Sequence, residues 1–379
     1  MTARTAPVTL TPLLGFPEVR EGDNIAGLLL KMLQDNEIRL LNGDILVISS
    51  KVVSKAMGLR EPARELADVV LSQSVRVVAE RMTPGGVTRI VESAAGPVMA
   101  AAGVDASNTG SNPADPATVL ILPEDPDAVA AEIRRGLEAG WATLSGTPVV
   151  VGVVLSDTAG RPWRIGQVDF ALGAAGLRVL EDLRGSADAD GRTLAVTERC
   201  VADEIAAAAD LVKNKATRVP AAHVRGLGRY VPQGDGQEGE PASGARDLVR
   251  TGTSDWFAFG AVEAVRAALG VEPGSATAAE VGIPTIGPED RATRASRALR
   301  VALLTCPDVS GSVDGDTIRL LSADDFALGV AATRAVVALR GEGLAATLTR
   351  VPLRTRAKTA QPAQDDSLTA QASVLIVCQ

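Results

Sequence analysis

The chain has 379 residues, 46% of them hydrophobic and 22% charged, which is enough apolar content for a sizeable core and for more than one domain. With a formal net charge of −8 and only 2% aromatics, it offers neither the basic field nor the stacking platforms that polynucleotide binding needs. Its apolar runs, such as Val149–Leu155, fall far short of the ~20 residues of a membrane span, and the opening MTARTAPVTLTPLLG lacks a signal peptide's apolar region. A cytoplasmic location with no membrane partner is therefore expected.

Cys200, Cys306 and Cys378 are scattered and form no CxxC pair, so neither a disulfide framework nor a zinc site is expected. His223 is the only histidine, so a triad mechanism would have to run through it. Its place in the strand-like Ala221–Val224 favours packing instead.

Val8–Leu14 reads as a strand, and Gly15-Phe16-Pro17-Glu18-Val19 as a solvent-facing turn, because Pro17 biases Phe16 to extended geometry. Asp23 or Asn24 can cap a helix that runs to about Gln34, with Ile25, Leu28, Leu29 and Met32 at helical spacing. Asn42-Gly43-Asp44 turns the chain into the buried strand Ile45–Ile48. The hydroxyls and lysines of Ser49–Lys55 follow that strand. Such groups can hold phosphates, but the glycine spacing of a P-loop is absent and a solvated loop is the plainer reading.

Glu61–Val78 reads as a helix, and Pro84-Gly85-Gly86 as a turn before the strand Val87–Glu92. Ala100–Gly110 is a small-residue loop delivering Asp105, Ser107 and Asn108 together, either as an Asx turn or as a second carboxylate for a metal. A helix is expected to begin after Pro126-Asp127. Gly146-Thr147-Pro148 then leads into the strand Val149–Leu155.

The polar residues of Ser156–Gly176 are expected where that strand ends. Asp157 and Thr158 are hard oxygen donors suited to Mg²⁺ or Mn²⁺, Arg161 and Arg164 suit an anionic substrate, and Gln167 and Asp169 follow. Further on, Asp182–Gly191 reads as a polar loop, Val201–Lys213 as a helix with acids in its first turn, and Val219–Val224 as a strand. Tyr230–Gly244 reads as an exposed loop and Gly270–Asp290 as a linker. The remainder offers a strand at Val301–Thr305, a helix at Asp324–Arg340 with Phe326, Val330 and Val337 aligned, and a strand at Val374–Cys378. Alternating strands and helices make the class α/β.

Five ordered segments, GFPEV, GDILVISSKVVSK, AAAGVDASN, SDTAGRPWRIGQVDFALGAAG and VADEIAAAADLVKNKATRVPAAHVRGL, resemble the coenzyme F420-0:L-glutamate ligase family over about residues 8–265. The resemblance implies an α/β, two-part subunit with mixed sheets that forms a homodimer with its site in an interface groove. It also implies joining L-glutamate to a carboxylate of the deazaflavin precursor F420-0 through an acyl phosphate. GTP is the implied co-substrate, with Mg²⁺ or Mn²⁺ and K⁺ as a further ion.

Carried over by residue, the family's nucleotide contacts fall on Phe16, Pro17, Glu18, Val19, Ser50, Lys55 and Asn108, and its metal ligands on Asp105, Asp157 and Thr158. Arg161, Arg164 and Gln167 are assigned to the reacting substrates. Ile165 replaces a usual Asn and Lys215 a frequent metal-binding Gln, departures that also fit a nucleotide-binding partner or regulator that has lost ligation.

The division expected is a ligase-like domain over 1–245, a helix and linker over 246–290, and a short α/β segment over 291–379. Asp324–Leu344 and Val374–Cys378 look similar to parts of a nitroreductase-like domain. The segment is too short for that whole domain and shows no Arg-rich phosphate-holding start, so no FMN is expected. A chain ending near Gly270 is expected to keep activity if it stays soluble.

Overall fold

A computed structural model describes residues 7–63, 66–109, 118–232, 244–351 and 372–378. The chain is mixed α/β with several sheets and forms two compact units, Met1–Val75 with Val91–Asp255, and Arg76–Ile90 with Trp256–Gln379. This division coincides neither with a boundary at 245 nor with one at 290.

The first unit is built on a five-stranded sheet in the order Thr9–Pro12, Ala221–Arg225, Ile45–Ser49, Gly152–Arg161, Arg164–Ala175. Only the Ile45–Ser49 and Gly152–Arg161 pair is parallel. Successive residues of a strand face opposite ways, so a strand covered on both faces is apolar throughout. Leu46 and Ile48 join one core cluster with Leu29, Leu33 and Leu137, whereas Ile45 and Val47 join another with Ala202, Ile205 and Ala206. Helices Ile25–Asp35 and Pro126–Ser145 therefore cover one face, and Val201–Asp210 the other.

Asn24 Oδ1 accepts from Gly27 N at 3.1 Å and caps the first of these helices. A Cβ at Gly136 would stand 2.7 Å from the Ala26 Cβ, so the two covering helices meet where one lacks a side chain. Gly136→Val is expected to force them apart at a cost of about 2 kcal/mol, typical of overpacking, read as a lower melting temperature. An unchanged melting curve would mean that this helix contact is loose.

His223 packs within its strand as expected. It is buried, with Nε2 2.9 Å from Asp44 Oδ2, and Arg225 Nη2 lies 2.7 Å from the same oxygen. Burial pushes the Asp44 carboxyl up, but hydrogen bonds from Arg225 and His223 outweigh it and hold the group below its ordinary range.

Several expected elements take another form. The Gly152–Arg161 strand does not end at Leu155 but carries the polar residues along a hairpin with Arg164–Ala175. The pattern turns polar because the strand runs past the helices that cover its first half. Ser49–Lys55 is no solvated loop: Ser50–Ala56 is a helix with Ser50, Val52, Val53, Ser54 and Lys55 buried. Glu61–Val78 divides into the strand Arg60–Pro62, a short helix Leu66–Ser72 and the strand Ser74–Thr83, whose Val77 and Val78 are both buried. Tyr230 and Val231, expected in an exposed loop, are buried, and residues 233–243 of that loop lie outside the described residues.

The second unit packs helices Arg291–Leu303 and Asp325–Gly341 on an antiparallel sheet in the order Ser310–Asp314, Thr317–Ser322, Ala372–Cys378, Ala346–Val351. Val301–Thr305 is thus the end of a helix that Asp290 caps, because a short apolar run has no period of its own to separate helix from strand. In the Asp325–Gly341 helix the core face is Leu328, Ala331, Ala332, Ala335 and Leu339, and Phe326 is 80% exposed. The stretch read as a linker supplies Val271, Ala278 and Val281 to this core. At its centre Glu342 takes Arg266 at 2.9 Å and Arg297 at 2.5 Å, all three buried.

Candidate active site

A cleft of about 280 Å³ opens in the first unit where four segments converge. The turn Phe16-Pro17-Glu18-Val19 forms one wall, with Phe16 and Val19 buried rather than facing solvent, and Lys51 and Lys55 of the Ser50–Ala56 helix reach the same space. Ser50 is buried and does not line the cleft. Asn108 does line it, with a left-handed φ of 50° that Asn tolerates. Thr158 and Asp169, paired across the hairpin, close the third side, and Asp210, Lys213, Lys215 and Arg218 the fourth.

Antiparallel register explains the hairpin's arrangement. Cross-strand partners share a face, so Thr158 Oγ1 donates to Asp169 Oδ1 at 2.6 Å. Ser156 lies two residues earlier on that face, and the buried Lys213 ammonium donates to its Oγ at 2.6 Å while ion-pairing with Asp169. A register shift between Leu155 and Ser156 marks a bulge just before these residues, a common device for re-aiming side chains beside sites.

Asp157 is one residue out of step, opposite Phe170. Burial pushes its carboxyl up against a single hydrogen bond from the Thr158 N–H, and the Asp169 and Asp105 charges add to this. Lys215 offsets only part, and the carboxyl rises to about 6. Asp105 is set by a two-way backbone bridge to Leu120, N to O at 3.0 Å and O from N at 2.9 Å. Its Oδ2 lies 2.7 Å from Lys51 Nζ and its Oδ1 accepts from Ser107. Burial raises that carboxyl as well, but the Lys51 and Ser107 hydrogen bonds prevail and leave it below the ordinary range.

The lysines divide by partner. Lys51 is tied to Asp105, Lys55 to Glu18 and Lys213 to Asp169, whereas Lys215 and Arg218 make no ion pair among the described residues. The cleft thus presents cationic groups of which Lys215 and Arg218 are uncommitted, while Asp157, outside its lining, has no direct cationic partner among the described residues and feels Lys215 through its charge alone. Among the described residues no three His, Cys, Asp or Glu side chains are gathered closely enough to hold a metal ion by themselves. The donor set still fits Mg²⁺ or Mn²⁺. Such ions take one or two carboxylates and fill the rest of their shell with water and phosphate oxygens, and Asp157, Asp105 and the Thr158 hydroxyl are all hard oxygen donors.

The structure does not bring every expected residue into the lining of this cleft: of the expected metal ligands only Thr158 lines it, and Asp105 and Asp157 do not. Arg161 lines a second cleft, while Arg164 and Gln167 lie on the exposed tip of the hairpin and line neither. Conversely, Asp169, Lys51 and Lys213 shape the site without standing among the expected site residues. The signal for Asp169 and Lys213 was present: a polar residue among small apolar ones in VDFALGAA, and a lysine just past an alanine-rich helix.

A family model described as F420-0:Gamma-glutamyl ligase matches residues 14–226, more than half of the chain and every residue of this cleft. The chain belongs to the F420-0:gamma-glutamyl ligase family. Curated relatives named coenzyme F420:L-glutamate ligase include one from Methanothermobacter thermautotrophicus, 38% identical over 235 residues that cover 58% of this chain and 89% of the relative. Another, from Archaeoglobus fulgidus, is 36% identical over 235 residues covering 58% and 88%. One from Halorubrum lacusprofundi is 36% identical over 218 residues covering 52% and 78%. These matches cover between 52% and 58% of this chain. Among its described residues, no helix is long and apolar enough to cross a membrane.

Proposed function

We propose that this chain is a GTP- and divalent-metal-dependent ligase that joins the amine of L-glutamate to a carboxylate of F420-0. The observation that carries the reading is the cleft itself: Lys215 and Arg218, which make no ion pair among the described residues, line it within the segment that the ligase family covers, and the Lys215 charge acts on the nearby buried Asp157 carboxyl. A polyphosphate bound with a cation would neutralise both at once.

A carboxylate is a poor acylating group. In the proposed reaction its oxygen bonds to the γ-phosphorus of GTP with GDP leaving, and the amine nitrogen then displaces phosphate from the acyl carbon to form the amide. A divalent ion, held by Asp157, Asp105 and the Thr158 hydroxyl, would supply charge neutralisation to the phosphates. Lys55 and Lys215 would meet phosphate oxygens as point charges, and Lys213 would hold Asp169 so that it fixes the Thr158 hydroxyl. A homodimer fits the hairpin tip, where Ile165 is fully exposed and Trp163 is 85% exposed beside Arg164 and Gln167.

Lys55→Ala is the focused test of the nucleotide half. Its ion-pair partner Glu18 is half exposed, so the truncation strands no buried charge. The KM for GTP is expected to rise about tenfold, the loss of about 1.4 kcal/mol, with the glutamate KM unchanged. An unaltered GTP dependence would remove Lys55 from the site. GTP binding without turnover by the unaltered protein would instead favour a binding partner or regulator.

A further inference from the structure

A second cleft, of about 520 Å³, lies against the same hairpin. Its floor is Phe170 and Leu172 of the Arg164–Ala175 strand, flanked by Pro97, Val98 and Val249, so its lining is largely apolar. One wall is a segment the fold pins in place: Asp127 Oδ1 accepts from Ala174 N and Ala245 N, each at 2.7 Å, and its Oδ2 from Arg246 N at 3.0 Å. The helix Pro126–Ser145 therefore ties the wall to the floor.

The charges at the rim are unequal in partners. Of the acids, Asp169 is paired with Lys213, Glu204 with Arg199 at 2.7 Å, and Asp203 accepts from Ala171 N at 2.9 Å. Arg161 and Arg246 make no ion pair among the described residues, and the Arg246 guanidinium meets only the Glu124 carbonyl at 3.2 Å. An apolar slot with two uncommitted guanidinium groups suits a flat aromatic ligand with an anionic tail, since arginine both forks onto carboxylates and phosphates and stacks on rings. The volume is within the roughly 300–1,000 Å³ usual for ligand pockets.

The cleft is also continuous with the first. Asp169 lines both, and the hairpin that carries Thr158 to the nucleotide side carries Ala159 and Arg161 to this one. We propose that this second cleft is the acceptor site, taking the planar deazaflavin precursor on Phe170 and Leu172 with its anionic tail on Arg161 and Arg246. The acceptor carboxylate then points over the Asp169 edge toward the phosphates. This inference rests on the ligase reading and adds where the acceptor lies.

The test uses the full chain and Ala207→Phe, which fills the slot from the helix Val201–Asp210, together with Arg246→Glu, which reverses an exposed rim charge. F420-0 and GTP–Mg²⁺ are titrated separately by calorimetry, and glutamylation is followed by mass. Tenfold or greater weakening of F420-0 binding in either variant, with GTP affinity within twofold of the unaltered chain, is the expected result. GTP affinity also reports that each variant is folded, and the surface charge reversal stands alone if the filled variant is not. Unchanged F420-0 affinity in Arg246→Glu and in a folded Ala207→Phe, with normal ligation, overturns the cleft assignment and leaves the ligase reading intact. An unaltered chain that neither binds nor glutamylates F420-0 overturns both.

Discussion

Asp157→Asn is expected to lower ligation at least about a hundredfold while raising the melting temperature. The two effects share a cause. An amide binds a divalent cation far less well than a carboxylate, so the proposed cation–phosphate contact is lost. The same carboxylate costs stability, because burial and the Asp169 and Asp105 charges raise it from 3.8 to about 6.

The sign follows from linkage. Below pH 4 the group is protonated in folded and unfolded chains alike and costs nothing. Between pH 4 and 6 the unfolded chain releases its proton first, and above pH 6 the full penalty is present. With about 1.4 kcal/mol per unit, and a discount for partial exposure, the Asn variant should gain about 1–2 kcal/mol at neutral pH and almost nothing at pH 4. Melting curves at the two pH values check this, and Mn²⁺ with GTP should narrow the gap by stabilising only the unaltered protein. Near-normal turnover with the same metal dependence would remove Asp157 from the site.

A chain ending at Gly270 is expected to be insoluble, so the condition on which its activity was expected is not met. The hairpin residues Arg76–Ile90 belong to the second unit, and their polar groups are satisfied by segments beyond the cut. Met82 N donates to Pro284 O at 2.8 Å, and buried Glu80 accepts from Gly274 N at 3.2 Å. Arg266, 5% exposed, would keep its charge and lose Glu342. Breaking a buried pair from one side costs roughly 3–5 kcal/mol, and the loss of Val271, Ala278, Val281 and all that packs on them removes the unit's core.

A chain ending at Asp255 with residues 77–89 replaced by a short Gly/Ser turn avoids these orphans and should bind GTP. Size-exclusion chromatography and thermal melting separate the two. A monodisperse, cooperatively melting chain ending at Gly270 would show that the second core is not needed to satisfy the hairpin.

Much of the site was legible because it is written in short motifs. Phe16-Pro17-Glu18-Val19, Lys55, Asn108 and Thr158 all line the first cleft. Arg164 and Gln167 were not legible in the same way. Closeness in sequence is not closeness in space here: at about 3.3 Å per residue an extended strand carries Arg161 roughly 13 Å beyond Asp157, and the hairpin tip lies further out.

The second unit is the least legible part of the sequence, for a related reason. Its Asp325–Gly341 helix buries alanines and exposes Phe326, because close packing on the Arg291–Leu303 helix selects small side chains rather than the most apolar stripe. The segment around Val271 looked like a linker because glycine and proline punctuate it. Three of its apolar side chains, Val271, Ala278 and Val281, nevertheless enter the core.

The most direct test of the central claim is a single incubation of the full chain with F420-0, L-glutamate, GTP and Mg²⁺ or Mn²⁺, with products resolved by mass. The account predicts F420-0 heavier by one or more glutamyl residues, one GTP converted to GDP and phosphate for each residue added, and no product when glutamate, GTP or the metal is left out. F420-0 recovered unchanged from a folded, GTP-binding protein would contradict it.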